Sequence, residues 1–184
     1  MGILIGILVV IVLLVVFGVG AYNGLVSSRQ QVGNAFSQID VHLKRRYDLI
    51  PNLVETVKGY MAHEAGTLEK VVQARNMAMA ANTVADKANA EKQVTMALSG
   101  LFAVAEAYPD LKANENMLSL QEELKGTENK IAFARQYYND VTTSYNTKLE
   151  QFPTNVIANM GSFKSRELFE IDEPASREPV KVSF

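Results

Sequence analysis

The sequence predicts an all-α protein: one N-terminal transmembrane helix, then an antiparallel bundle of long helices, then an extended C-terminal tail. Three observations carry this. The chain opens on an uncharged apolar run, apolar residues then recur at helical 3-4 spacing in four successive stripes, and β-type alternation is nearly absent. The natural divisions are residues 1–23 for the anchor, 24–153 for the bundle and 154–184 for a tail packed on it.

The anchor comes first. "ILIGILVVIVLLVVFGVGA", from Ile3 to Ala21, holds no charge, and the first charged side chain is Arg29. At ~1.5 Å per helical residue it spans roughly 28 Å, close to the ~30 Å hydrocarbon thickness of a bilayer. A cleaved signal peptide is the main rival, because "VGA" before Tyr22 loosely fits small-x-small. No cationic segment precedes the run, however, and it exceeds the ~7–15 residues usual for a signal h-region. The segment therefore reads as an uncleaved anchor. Gly2 and Gly6 within it, and Gly20 and Gly24 at its exit, have the one-turn spacing that lets helices approach closely in lipid. Lys and Arg occur only after the span, which places the N-terminus outside and the bundle in the cytoplasm. With no cysteine, disulfides, thiolate chemistry and palmitoylation are excluded.

The bundle helices follow in order. The first stripe runs through Leu25, Val32, Phe36, Ile39 and Leu43. The second takes Ile50, Val54, Val57, Met61, Leu68, Val71 and Ala78. The third takes Val94, Leu98, Leu101, Ala105 and Tyr108, and the longest runs from Met117 through Ile131, Tyr138 and Tyr145 to Phe152. Each stripe needs a covering partner, and four long helices with short connections satisfy this as an antiparallel bundle. Pro51 disfavours helix at Ile50 and suits the first turn of a new one. "ANTVADKANA" reads as a connection, Asp110 and Asn114 as N-caps, and Pro153 as the end of the fourth helix. The closing "VKVSF" has the alternation of a strand, or of a segment lying in a groove.

Within "LKRRYDLIPNLV", Lys44, Arg45 and Arg46 then fall at the end of the first helix, where cations suit the negative pole of its dipole. The alternative is an open patch for an anionic protein or ligand. Lipid contact fails on distance, since Lys44 lies some ~35 Å beyond Ala21 along a continuous helix. Nucleic acid is an unsuitable partner: 18 basic residues face 20 acidic ones, for a net charge of −2.

Chemistry finds few parts. A di-iron bundle needs Glu-x-x-His on two helices, yet His42 and His63 are the only histidines and neither has glutamate three positions before it. No phosphate loop, dinucleotide fingerprint, zinc-protease helix or plausible nucleophile pair occurs. The expectation is a protein that is no enzyme and carries no cofactor, with metal-dependent catalysis the least favoured reading. Polar residues do fall on the stripes: Glu64 and Arg75 on the second, with Arg135 and Asn139 flanking the fourth. Buried charges need partners, so Glu64 is expected to meet an arginine from a neighbouring helix. Such groups set helix register, as polar positions do in coiled coils. The alternative is a ligand pocket lined by His63, Glu64, Arg135 and tyrosines. "YND" at Tyr138 and "YNT" at Tyr145 repeat on one helix face, which suits core packing with bonded hydroxyls.

Several long blocks carry a resemblance: "YNGLV", "SQIDVHLKRRYDLIPNLVETVKGYMAHE", "VVQAR", "AEAYPDLKANEN", "TENKIAFARQYYND" and "SYNTKLEQFP". In content and order they resemble the LemA family from the anchor through Phe152. His42, Phe36, Met117 and Leu168 depart from the family's usual residues, the last making the docking of the tail less certain. The resemblance implies a bacterial single-pass protein of the inner membrane with a long-helix bundle, and it brings no reaction. The reading that follows is an anchored helical scaffold that self-associates and organises envelope proteins or membrane. The alternative is a ligand-sensing bundle with a polar pocket.

Overall fold

The computed structural model describes residues 1–61 and 63–169. They form α1 (Gly2–Lys58), α2 (Ala65–Ala80), α3 (Val84–Ala105), α4 (Pro109–Lys112), α5 (Glu115–Glu150) and α6 (Thr154–Met160), with no strand among the described residues. Residues group into two compact units, one of Met1–Leu43 with Asn129–Leu168, the other built on Lys44–Glu128. α1 and α5 each contribute a segment to both.

In the first unit, α1 begins with the apolar run. Among the described residues it is the one helix long and apolar enough to cross a membrane, with a mean hydropathy of 3.3 in its most apolar window. Every side chain from Met1 to Phe17 is exposed within the chain, as lipid-facing residues would be. Beyond the run, Leu25, Val32 and Ile39 are buried at heptad spacing, and α5 answers with Ile131, Tyr138 and Tyr145 at the same spacing. Lys148 Nζ donates to Ser28 Oγ at 2.8 Å, and the Tyr138 ring lies 5.7 Å from that of Phe36. Partners descend on α5 as they ascend on α1, so these segments are antiparallel.

The chain after Pro153 was expected to be extended throughout. It opens instead with the short helix α6, whose Ala158 is buried, and extends only from Phe163. Ser162, at φ 54°, turns it, and Gly161 makes room: a Cβ there would lie 2.6 Å from Phe163 Cε2. The Phe163 ring meets Tyr22 edge-on at 5.5 Å with the Arg29 guanidinium over its face at 5.2 Å. The following residues are tied to α5. Tyr145 OH donates to the Lys164 carbonyl at 3.1 Å and Tyr138 OH to that of Glu167 at 2.7 Å. Asn146 both accepts from the Arg166 N–H (2.9 Å) and donates to the Arg166 carbonyl (2.8 Å). Residues 170–184, including "VKVSF", lie outside the described residues, so the strand or groove expected there is not addressed.

Burial pushes the Tyr138 hydroxyl above its ordinary value of 10.0, outweighing the Thr142 side chain and the Arg166 guanidinium, which act against it; the Glu167 carboxylate adds slightly to the rise. The folded chain therefore holds the neutral, donating phenol more firmly than the unfolded chain does. The stability this gives is full below about pH 10 and is lost as pH rises from there through the raised folded value. Denaturant unfolding should show stability falling above about pH 10, and Tyr138→Phe should weaken that dependence.

The second unit takes α1 from Lys44, α2, α3, α4 and α5 as far as Glu128. Ile50, Leu53 and Val57 of α1 are fully buried with Val71 of α2, Leu101 of α3 and Met117 of α5. Asn114 caps α5 as expected, its Oδ1 accepting from the Met117 N–H at 3.1 Å, whereas Asp110 lies within α4 and caps nothing. Three expectations are corrected here. The first helix does not stop at the cations, and no new one begins at Pro51: α1 runs through the proline. The second stripe is no single helix, because α1 ends at Lys58, Gly59 and Tyr60 form a turn, and α2 starts at Ala65. Glycine's poor helix propensity marks the place. Finally, "ANTVADKANA" is mostly helix. Thr83 Oγ1 accepts from the Asp86 N–H at 3.0 Å and starts α3 well before its first buried large apolar residue, Val94, with Ala88 and Ala90 buried in place of larger groups.

Candidate functional site

The most distinctive arrangement in the second unit is a polar network linking α1, α2, α3 and α5, and it starts from the proline. Pro51 has no N–H, so the carbonyl one turn earlier, that of Tyr47, loses its helical partner. Arg75 on α2 supplies a replacement, its Nε donating to the Tyr47 carbonyl at 2.8 Å. A side chain from another helix thus repairs the ladder, which is how α1 passes a residue that ordinarily breaks helices. The Tyr47 hydroxyl in turn donates to Glu91 Oε1 on α3.

Glu91 Oε2 receives Arg46 Nη1 at 3.0 Å, and the two side chains are only 2% and 4% exposed. Arg46 Nη2 donates to Thr95 Oγ1 at 3.1 Å and lies 3.6 Å from Glu128 Oε2 on α5. Arg46 continues the heptad of Leu25, Val32 and Ile39 toward Leu53, so a guanidinium occupies a core position. A buried ion pair recovers its desolvation cost only with good geometry and further hydrogen bonds. Both carboxylate oxygens of Glu91 are engaged here, while Arg46 Nε alone has no partner. Beside Arg46 a cavity of about 140 Å³ is lined by Thr95, Ser99, Gln121, Lys125 and Glu128 as well as apolar groups. It has room for a few waters or a small anion.

These positions differ from the sequence reading. The patch of Lys44, Arg45 and Arg46 is not one surface: Lys44 is exposed, Arg45 forms an exposed 3.9 Å contact with Glu123, and Arg46 is in the core. The reason is helix continuity, since a helix running on past Arg46 turns successive side chains to different faces. Glu64, expected to meet an arginine, lies half-buried at the N-cap position of α2 and meets none among the described residues. An acid there suits the positive pole of the helix. The buried carboxylate paired with an arginine from a neighbouring helix is Glu91 instead. His63 is exposed. Arg135 and Asn139 lie half-buried on α5 in the first unit, so the residues proposed to share a pocket are divided between the units. Gly2, Gly6, Gly20 and Gly24 have open space where a Cβ would project. No group of three or more His, Cys, Asp or Glu is arranged to hold a metal among the described residues.

The sequence is similar to those of several known proteins. The chain is 30% identical to protein LemA of Metamycoplasma hominis, over 86% of this chain and 75% of that protein. It is 24% identical to magnetosome protein MamQ 1 of Paramagnetospirillum magneticum and 22% identical to magnetosome protein MamQ of Magnetospirillum gryphiswaldense. Each of those two alignments covers 86% of this chain and 68% of the relative. A family model described as the LemA family matches residues 35–184, through both the Arg46–Glu91 network and the docked segment after α6, and the chain belongs to that family.

Proposed function

We propose that this membrane-associated helical protein is a non-catalytic scaffold. Its anchor lies in the inner membrane, its bundle faces the cytoplasm, and copies associate with one another and with envelope proteins. The observation that carries the reading is a pair of aromatic side chains with no role inside the fold. Phe133 and Tyr137 sit one turn apart on α5 and are 73% and 48% exposed. The antiparallel register of the first unit places Val41 of α1, also exposed, level with Phe133. Exposed aromatics grouped in this way are characteristic of surfaces that meet protein. In the second unit Met77 and Met96 line a groove of about 310 Å³ between α2 and α3, and methionine adapts readily to different partners. The unfilled space at the anchor glycines adds a further place for helices to approach.

The full chain in mild detergent should have a mass well above monomer. Phe133→Ser with Tyr137→Ser should shift it toward monomer while keeping its helical content, since neither side chain is in the core. A wild-type chain that is monomeric in both detergent and nanodiscs would overturn self-association.

A further inference from the structure

We infer that α6 is a second membrane contact, an interfacial helix resting at the boundary between acyl chains and headgroups beside the exit of α1. This deepens the membrane-anchored reading and rests on it. The depth of α6 follows from Gly18. Ile157 Cδ1 lies 3.7 Å from where a Gly18 Cβ would project, and Gly18 belongs to the last turn of the run ending at Ala21. If that run fills the hydrocarbon layer, α6 is level with its edge, within about 5 Å along the helix axis.

The side chains of α6 suit that depth. Val156 and Met160 lie one turn apart, and Phe152 precedes them at the same spacing in the turn that enters the helix. Phe152 is 83% exposed, Met160 79%, and Val156 about half. The opposite side carries the fold's own contacts, Ile157 against Gly18 and Ala158 in the core. In water this apolar face would be covered by nothing; at the acyl boundary it is covered by the same lipid that covers the anchor. An apolar cavity of about 310 Å³ between Gly18, Val19, Tyr22, Ile157, Met160 and Gly161 continues the surface. Cations stand where phosphates would be. Ser28, roughly 10 Å beyond Ala21 along α1, receives Lys148, and Arg29 lies over the Phe163 ring next to Lys164. Tyr22, between the two layers, is the kind of residue that favours an interface.

The chain has no tryptophan, so each substitution gives a single fluorophore. Full-length Phe17→Trp, Phe152→Trp, Met160→Trp and Phe133→Trp chains would be reconstituted in vesicles of phosphatidylcholine and phosphatidylglycerol, with bromine placed either high or deep on the acyl chains. The proposal expects the fluorophores at 152 and 160 to lose most of their emission to the high-placed bromine. Position 17 should be quenched in the same vesicles and position 133 should not. If 17 is quenched while 152 and 160 behave like 133, α6 stands clear of lipid and the proposal fails with the anchor intact. If 17 also escapes quenching, the anchored reading fails and takes this inference with it.

Discussion

Arg46→Met should lower the stability of the chain by about 3–5 kcal/mol, because it leaves Glu91 charged, buried and without its cation. Arg46 holds Glu91 Oε2 at 3.0 Å, and the Tyr47 hydroxyl holds Oε1. Denaturant unfolding would measure the loss. Arg46→Met together with Glu91→Leu should recover most of it, since apolar groups of similar volume commonly replace a buried pair at little cost. The residual deficit should be about 1 kcal/mol, from a Tyr47 hydroxyl that has lost its acceptor. A single-variant loss below about 1 kcal/mol, the range of exposed pairs, would show that the network contributes no more than a surface contact. By contrast, Arg45→Met should be nearly silent, because its contact with Glu123 is exposed and long.

Pro51→Ala and Arg75→Ala should be strongly coupled. Removing the arginine leaves the Tyr47 carbonyl without a donor and should cost about 1–3 kcal/mol. Replacing the proline restores an N–H to that carbonyl and removes a residue that costs roughly 3 kcal/mol in a helix interior. Part of that gain is returned, because proline also restricts the unfolded chain. In the Pro51→Ala background, Arg75→Ala should therefore cost much less than it does in the wild type. A double-mutant cycle on denaturant midpoints measures the difference. Equal costs in the two backgrounds would mean that Arg75 does something other than satisfy the carbonyl.

The contrast between those arginines shows which parts of the fold could be read beforehand. Long apolar stripes were legible: the apolar N-terminal run, the α5 stripe from Met117 to Tyr145 and its Asn114 cap stand where the spacing places them, whereas Phe152, read as the last member of that stripe, lies past the end of α5 and is exposed. Local rules misled where tertiary contacts supply what the local sequence lacks. Pro51 reads as a boundary because the donor that mends the helix lies on α2, far away in sequence. The start of α3 was hidden because its buried side chains there are alanines, which form no visible stripe. Arg46 was grouped with Lys44 and Arg45 as a run of charge. The heptad from Leu25 through Val32 and Ile39 to Leu53 passes through it, and that spacing was the available signal. Glu91 had a similar one, standing a heptad before Leu98 on α3. Glu64 was aligned with apolar residues of α1 across the break at Gly59, an alignment without meaning, whereas Arg75, in step with Leu68 and Val71 of α2, does turn inward to the Tyr47 carbonyl.

Between Phe163, whose ring packs against Tyr22, and buried Phe169, the segment is gripped by its main chain: α5 side chains bond the carbonyls of Lys164, Arg166 and Glu167 and the amide of Arg166. Recognition of this kind is blind to side-chain identity. Lys164, Arg166 and Glu167 are thus free to drift, or to be tuned for whatever lies outside, without loosening the seam. The same tolerance explains why an atypical leucine at 168 leaves the neighbouring clasp undisturbed.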